Sequence, residues 1–348
     1  MQISRRATLA TLAALPFAAR AQDKPIRLLV GFPPGGGTDA IARLLAEALQ
    51  ASLGTTVLVE NKPGAGGQIA AQALKAAAPD GTTFFVSHDH TISILPLVLK
   101  NPGFDPARDF VPVAGFATFA NAFALSSGTP AASLPEYLAW VKTQGGHSSI
   151  GVPAPASVPE FLVKLLGERN GLNLLSVPYR GSSPMMADML GNQIPAGIGS
   201  VPDLIVNHQQ KKLRIVAVMG QQRQSVVPEV PTFAELGIAG FEDLPYYGVF
   251  APAGTPAAVL ERFSNALAGV IAQPGVKARL TELGLSVGMM TSAQLATRER
   301  AYSAAWARII KAGGFQPQLR ANGRASTSTT RPASTGWRAG PGAAPGRH

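Results

Sequence analysis

The sequence predicts an α/β protein with two lobes, a hinge of two crossing strands and a central ligand cleft. Apolar strand-like runs alternate with helical patterns, which indicates right-handed crossovers and a mostly parallel sheet. Residues 22–315 exceed what a single hydrophobic core usually holds, so we expect two lobes. Two extended apolar stretches, 111–125 and 246–251, are the expected crossings between them. A chain that crosses over and returns leaves a cleft that can close on a ligand.

The first strand–loop–helix unit gives the strongest indication of a site. An apolar run at 26–30 leads through three glycines, 35–37, into a helix that we expect to open at Thr38 or Asp39. The first turn of a helix has unpaired amides and a positive dipole end, and glycines let that backbone approach an anion closely. The unit predicts a site for a carboxylate, phosphate or sulfate, although a tight turn without a ligand has the same pattern. Neither a Lys-Ser/Thr pair nor G-x-G-x-x-G spacing is present, which disfavours a nucleotide.

Three later units repeat this arrangement. Strand-like runs end at Glu60, Val152 and Val177, and each leads through a loop rich in Gly, Pro or Ser into a helical pattern. Loops after the carboxyl ends of parallel strands line the ligand crevice of such sheets. The four loops together therefore predict one shared pocket.

Both ends of the chain differ from the middle. Residues 1–21 have a charged start, an apolar run and an A-x-A cleavage site, which predicts an export signal. Ser4-Arg5-Arg6 suggests the twin-arginine route, and the general secretory route stays open. Residues 316–348 contain five arginines, no acid and no apolar periodicity, so we expect a disordered basic tail. No later apolar run is long enough for a bilayer, so we expect a periplasmic mature chain without membrane insertion.

The net charge of the whole chain is misleading as a guide to partners. The formal charge is +10, which on its own would favour nucleic-acid binding. Without the arginines of 1–21 and 316–348, residues 22–315 hold 22 Lys and Arg against 20 Asp and Glu. This near-neutral balance excludes a nucleic-acid role for the folded part.

No catalytic or metal-binding constellation stands out, and we expect no metal, no cofactor and no enzymatic activity. The chain has no cysteine and no G-x-S-x-G elbow, which removes two common nucleophile signatures. His88-Asp89-His90 is a possible metal-binding pattern, but alternate residues of a strand face opposite sides and no third ligand is evident. Asp39, at a helix start, is typical of a helix cap.

Several ordered motifs together resemble one known family. They are Pro25-Ile26-Arg27, Phe32-Pro33-Pro34-Gly35-Gly36-Gly37-Thr38-Asp39, Glu60-Asn61-Lys62-Pro63-Gly64-Ala65-Gly66-Gly67, Ala78-Pro79-Asp80-Gly81, Asp105-Pro106 with Asp109-Phe110, Val177-Pro178-Tyr179-Arg180-Gly181, Pro228-Glu229-Val230-Pro231-Thr232 and Ala251-Pro252-Ala253-Gly254-Thr255-Pro256. Over residues 24–315 the chain is similar to the Bug family. These are extracytoplasmic substrate-binding proteins associated with tripartite tricarboxylate transporters.

The resemblance implies a type II-like periplasmic binding fold whose two lobes close on small carboxylated solutes. Such proteins often bind through backbone amides and ordered waters. We place lobe 1 at 22–124 and 247–315, and lobe 2 at 125–246. The resemblance places the first-lobe carboxylate loop at 32–39 and the second-lobe side of the site at 179–181. The residues that we expect at the ligand are Phe32, Gly36, Gly37, Thr38, Asp39, Ser87, His88, Ala156, Ser157, Tyr179, Arg180 and Gly181.

The implied function is capture of a di- or tricarboxylate or a related organic acid by a monomeric protein, which delivers it to membrane transporter subunits. Two alternatives stay open: a ligand-sensing partner of a two-component sensor kinase, and an exported enzyme with Asp39 or His88 as base. The chain also departs from the family. Pro153, Pro155 and Pro159 have no N–H to donate, so the second-lobe end of the site should be stiffer and less polar. The basic tail is foreign to the family, and we interpret it as a shifted reading frame.

Overall fold

The computed structural model describes residues 24–312 and 314–315. The predicted export signal and the predicted basic tail lie outside the described residues. Within that range the chain forms eleven strands: β1 (Ile26–Val30), β2 (Val57–Asn61), β3 (Thr83–His88), β4 (Phe110–Phe119), β5 (Asn121–Ser126), β6 (His147–Val152), β7 (Asn173–Pro178), β8 (Ala196–Ser200), β9 (Leu213–Val218), β10 (Tyr246–Pro252) and β11 (Leu285–Met290).

Helices follow most of these strands. They are α1 (Gly37–Leu53), α2 (Gln68–Lys75), α3 (Leu95–Val98), α4 (Pro106–Asp109), α5 (Leu134–Thr143), α6 (Val158–Asn170), α7 (Ser182–Leu190), α8 (Val201–Gln209), α9 (Ala257–Ala272), α10 (Pro274–Glu282) and α11 (Ser292–Ala312). A 3₁₀ turn (Ala65–Gly67) precedes α2, and a π-helical segment (His90–Ile94) leads into α3. No helix of the described residues is both long and apolar enough to cross a bilayer.

The strands of the described residues form two mixed sheets. Their orders are β11-β4-β10-β3-β1-β2 and β7-β6-β8-β5-β9. Only β1–β2, β1–β3, β6–β7 and β6–β8 pair in parallel, so the prediction of a mostly parallel sheet is wrong. The pairs β3–β10, β4–β10, β4–β11, β5–β8 and β5–β9 are antiparallel.

The chain passes between the two sheets at two adjacent places. β4 ends in the six-stranded sheet and β5 begins in the five-stranded sheet, with Ala120 alone between them. The return runs through the irregular segment 219–245 into β10 of the six-stranded sheet, whose first residue, Tyr246, is also the first residue of the second predicted stretch. The Phe119 amide donates to the Pro245 carbonyl at 3.1 Å, which holds the crossings side by side. We propose Ala120 and Pro245 as lobe boundaries.

Helix α1 forms because its apolar residues fall on one face. Ile41, Leu45 and Leu49 are spaced four residues apart and are all buried, which a helix achieves and a strand does not. Gly54 ends the helix in the left-handed conformation, with φ 67°. The buried face shares a core with Phe263 of α9. This packing fixes the N-terminus of α1 beside the carboxyl end of β1.

Helix α11 packs against both lobes. The ring of Trp306 lies 5.8 Å from that of Phe161 in α6, between ring centroids. One turn earlier, Tyr302 lies edge-on to Tyr246 of β10, with ring centroids 5.8 Å apart. The sequence analysis does not predict α10 and β11, which precede this helix. Few residues of α10 are apolar on one face, and Val276 and Leu280 are its buried ones.

Candidate functional site

A cavity lies where loops of the two sheets meet, and two walls enclose it. The aromatic wall comes from the six-stranded sheet and its loops: Phe32, Gly36, Thr38, His88, Asp89, His90, Phe119 and Tyr247. The serine–proline wall comes from the five-stranded sheet and its loops: Pro153, Ala154, Ser157, Val158, Pro159, Ser182, Ser200 and Asp203. Asn121 completes the lining beside the first crossing. About 50 Å³ of the cavity is open to the centres of water molecules, which is room for a few waters.

The glycine loop approaches the opposite wall at Gly36. This residue is the N-cap of α1 with φ −84°, and a Cβ on it would lie 2.9 Å from the Ser182 hydroxyl. The positive φ of the loop is at Gly35, +82°, where an added Cβ would meet nothing within 4 Å. Gly36 is therefore needed for close approach across the cavity, and Gly35 for the turn itself.

Asp39 holds the glycine loop and does not line the cavity. Its Oδ2 accepts hydrogen bonds from the Gly35 amide and Arg43 Nε, both at 3.0 Å, and its Oδ1 accepts one from Asn61 Nδ2 at 2.9 Å. Burial by itself would raise the pKa of Asp39, but the bonds from Arg43, Gly35 and Asn61 outweigh it and the pKa is lowered. The carboxylate is thus ionised and committed to three donors outside the lining, which is a structural role.

Asp203 joins the two walls. Its Oδ1 accepts a hydrogen bond from the Gly37 amide at 2.7 Å, across the cavity, and one from the Ser182 hydroxyl at 2.6 Å. Its Oδ2 accepts one from the Ser200 hydroxyl at 2.6 Å. The first amide of α1 therefore donates to a carboxylate of the chain itself. Amides at a helix N-terminus are the kind of group that binds an anion. Because the walls are hydrogen-bonded to each other, this conformation is closed.

The aromatic wall is tied together by ring contacts and a buried hydroxyl pair. The hydroxyls of Thr38 and Tyr247 are 3.0 Å apart. The ring of Phe32 stacks on the imidazole of His88, with centroids 4.9 Å apart, and Tyr247 meets that imidazole edge-on at 5.4 Å. Burial raises the pKa of Tyr247 far above its usual value. The Tyr247 side chain is therefore a neutral hydrogen-bonding group.

His88 and His90 line the same cavity, which contradicts the expectation that they face opposite sides. β3 ends at His88 and the π-helical segment begins at His90, so strand alternation no longer applies between them. Asp89 accepts a hydrogen bond from the Tyr302 hydroxyl of α11 at 3.0 Å, and its Oδ1 lies 3.3 Å from His88 Nδ1. In the described part of the chain, no group of three or more His, Cys, Asp or Glu side chains is placed to hold a metal ion.

His90 is a buried polar side chain without a partner. It is 6% exposed, and within the described residues neither of its ring nitrogens has a hydrogen bond. Burial lowers the pKa of His90 to about 4, with the neighbouring His88 acting in the same direction. The imidazole is therefore neutral, with one donor and one acceptor nitrogen. Unpaired buried polar groups of this kind are rare in native proteins.

Of the residues predicted at the ligand, the structure brings five to the cavity: Phe32, Gly36, Thr38, His88 and Ser157. Gly37 contributes its amide to Asp203. Ser87 is buried with an unpaired hydroxyl but does not line the cavity. Ala156 is buried at φ 52°, and its amide donates to the Glu160 carboxylate.

The predicted residues at 179–181 lie beside the cavity rather than in its lining. The Tyr179 hydroxyl donates to Asp188 Oδ2 at 2.6 Å. Arg180 is exposed. Gly181, with φ 109°, packs against the other wall, because a Cβ on it would lie 2.5 Å from Cδ of Pro33. This segment therefore contributes to wall-to-wall contact.

Sequence reasoning missed Asp203, Ser200 and Tyr247. Ser200-x-x-Asp203 is a capping pattern, in which the Ser200 hydroxyl accepts from the Asp203 amide at 3.3 Å. That pattern follows the strand-like run 194–199 and was a usable signal for a fifth loop at the pocket. Tyr247 gave no such signal, because its partner Thr38 is 209 residues away in the chain.

Comparisons with known proteins agree with this architecture. Residues 41–315 match the family model described as the tripartite tricarboxylate transporter family receptor. The chain is 34% identical to protein BugT of Bordetella pertussis over 67% of this chain and 72% of that protein. The solved structure of the periplasmic binding protein BugD is 30% identical, with a TM-score of 0.80, over 85% of this chain and 99% of BugD.

Two further similar proteins have been solved with a ligand. A Rhodopseudomonas palustris protein with adipate is 28% identical, with a TM-score of 0.80, over 84% of this chain and 98% of that one. MatC from the same organism, with bound malate, is 27% identical, with a TM-score of 0.75, over 82% and 98%. The predicted two-lobed periplasmic-binding fold is confirmed, and the chain belongs to the family of tripartite tricarboxylate transporter receptors.

Proposed function

We propose that this protein captures a small organic acid in the periplasm by closing its two lobes, and delivers the acid to a tripartite tricarboxylate-type membrane transporter. The observation that carries the proposal is a convergence of helix N-termini. Within the described residues, four helices begin at the cavity: α1 after Gly36, α6 after Ser157, α7 at Ser182 and α8 after Ser200. Each brings first-turn amides and a positive dipole end toward the same space, which favours an anion.

The relatives support a carboxylate as that anion. The structures with adipate and with malate share this fold and are 28% and 27% identical to the chain. Membership of a receptor family supports binding without turnover. The structural role of Asp39 also weakens the alternative of an exported enzyme, because its three hydrogen bonds hold the glycine loop.

The proposal is tested on the full chain recovered from the periplasmic fraction of its host. Thermal unfolding is followed with a panel of mono-, di- and tricarboxylates, and a ligand present at about 100 times its Kd adds about 2.7 kcal/mol to the unfolding free energy. Calorimetric titration then gives the affinity for each acid that shifts the transition. If no carboxylate shifts it, capture of an organic acid is ruled out.

Delivery is tested separately, in cells. Uptake of the identified acid is measured in a host strain lacking this protein, complemented either with the wild-type chain or with Gly36→Val. We expect uptake with the wild type and background uptake with the variant. Equal uptake in all strains would show that the captured acid is not delivered for transport.

A further inference from the structure

The charges that line the cavity are those of acids. Among its lining residues, all of them within the described range, there is no lysine and no arginine, whereas Asp89 and Asp203 both contribute. Positive potential therefore comes only from helix N-termini, whose partial charges of about half a unit each fall off within the first turn. The four N-termini together supply about two units. Asp203 already offsets one of these units, so the site balances one carboxylate of a ligand. A second carboxylate on the same ligand would meet two fixed carboxylates without a cation to offset them.

Asp203 makes the repulsion specific to one end of the site. Its carboxylate already accepts hydrogen bonds from the Gly37 amide, at 2.7 Å, and from the hydroxyls of Ser182 and Ser200. Donors that would otherwise bind an incoming anion on that side are thus occupied. Like charges brought together at a closed interface reject a ligand strongly.

The remaining lining suits an apolar ligand body. The aromatic wall presents the rings of Phe32, Phe119 and Tyr247, which contact one another or His88. The opposite wall presents Val158 and Pro159, and proline has no amide to offer. Closed pockets with this composition bury carbon atoms, and a few placed polar groups set the orientation.

We propose that the cavity selects an organic acid with a single carboxylate and an apolar body, and that Asp203 rejects a second carboxylate. This selectivity rests on the proposed function, because it concerns the same cavity. It names a class of ligand narrower than, and different from, a di- or tricarboxylate.

The charge preference is tested with ligands that share one benzyl skeleton and differ in one substituent. Calorimetric titrations of the full chain compare hydrocinnamate (hydrogen), phenylalanine (ammonium) and benzylmalonate (a second carboxylate), and the aliphatic pair hexanoate and adipate. We expect each monoacid to bind at least about tenfold more tightly than its diacid. The variant Asp203→Asn should raise the affinity for each diacid, relative to that for its matched monoacid, by at least about fivefold.

Every outcome separates this inference from the proposed function. Tighter binding of benzylmalonate and adipate overturns the single-carboxylate inference and leaves organic-acid capture standing. Tighter binding of phenylalanine also overturns it, because Asp203 would then serve an ammonium group. If none of the five compounds binds, the single-carboxylate inference is wrong. The proposed capture of an organic acid is wrong only if no acid of the wider carboxylate panel shifts the unfolding transition either.

Discussion

The aromatic wall of the cavity is held by side-chain contacts over long chain separations, whereas the serine–proline wall is held by the starts of helices. On the first wall, Thr38 meets Tyr247 and Asp89 meets Tyr302, partners more than two hundred residues apart. On the second, Ser157, Ser182 and Ser200 each stand at a helix start. The first wall therefore depends on tertiary contacts, and the second presents backbone ends to the cavity.

This difference suggests that the two walls contribute differently to ligand binding. Rings and titratable groups define the shape and polarity that a ligand must match, so we assign selectivity mainly to the aromatic wall. Helix starts attract any small anion with little discrimination, so we assign general affinity to the serine–proline wall. Asp203 is the exception, because it carries a charge from the second wall to the N-terminus of α1.

Gly36→Val should break the contact between the walls and produce the largest effect. A Cβ at Gly36 would lie 2.9 Å from the Ser182 hydroxyl, and the two methyl groups of valine extend further into the other wall. We expect affinity for the captured acid to fall by about a hundredfold, or about 3 kcal/mol. Calorimetric titration measures the loss, and circular dichroism checks that the fold is kept.

Gly35→Ala is the matched control for that variant. It forces an alanine into φ +82°, at a cost of about 1–2 kcal/mol in unfolding free energy, but meets nothing within 4 Å. Its affinity should stay close to that of the wild type. If both variants lose affinity equally, loop conformation rather than wall-to-wall approach controls closure.

The second largest effect should come from Glu299, on the helix that packs behind the aromatic wall. Burial raises the pKa of Glu299 to about 7, helped by Asp105 and opposed by Arg300. Because the folded-state pKa lies above the unfolded value, this carboxyl lowers stability increasingly as pH rises from about 4.5 to about 7. Glu299→Gln should therefore add about 1–3 kcal/mol above pH 7 and almost nothing near pH 4.

Urea unfolding across that pH range checks the effect of Glu299→Gln. The exposed Glu282→Gln on α10 is the control and should leave the pH profile unchanged. A stabilisation by Glu299→Gln that is the same at pH 4 and pH 8 would show that packing, not ionisation, is responsible.

Tyr247→Phe should have a smaller effect than Glu299→Gln, and it tests the hydroxyl pair of the aromatic wall. It leaves the buried Thr38 hydroxyl without its partner at 3.0 Å, so we expect a loss of about 1–2 kcal/mol in unfolding free energy and weaker ligand binding. Tyr137→Phe removes a similar bond to Ser148, 2.7 Å long, away from the cavity. The control should lose comparable stability but keep its affinity, and equal affinity in both variants would contradict a role for Tyr247 at the ligand.

Pro159→Ala should produce the smallest change, in the opposite direction. Pro159 is the second residue of α6, and alanine would add an amide donor to the serine–proline wall. We expect an acid to bind about two- to fivefold more tightly, equivalent to a weak hydrogen bond. Pro202→Ala changes the equivalent position of α8, which does not line the cavity, and should leave affinity unchanged. Unchanged affinity in Pro159→Ala would indicate that the α6 amides do not reach the ligand.

The part of the fold that follows from local pattern was predictable. Alternation of strands and helices, the glycine loop and the first crossing all depend on residues close in sequence, such as Ile41, Leu45 and Leu49 on one face of α1. The antiparallel insertion of β10, and the presence of α10 and β11, depend on how distant segments pair. A single sequence does not report that pairing.

The candidate site also has predicted residues that line the cavity and predicted residues whose side chains bond elsewhere. The family resemblance placed Phe32, Gly36 and Thr38 in the first-lobe loop, and these residues do line the cavity together with His88 and Ser157. The loops that carry them follow strands, and loops of such folds converge there. The resemblance also assigned Asp39 and Tyr179 to the ligand, but their side chains bond to Arg43 and Asp188 instead. Direction of a side chain depends on neighbours that only the folded chain supplies.

The contact between Asp89 and Tyr302 has a consequence for the order in which the molecule is assembled. The two residues are 213 positions apart, so the aromatic wall at Asp89 cannot be completed until Tyr302 has been synthesised. Contacts of such long range are slow to form, since a large loop must close first. A nascent chain therefore carries its first glycine loop long before its cavity is complete, and the contact at Asp89 forms only when α11 has docked.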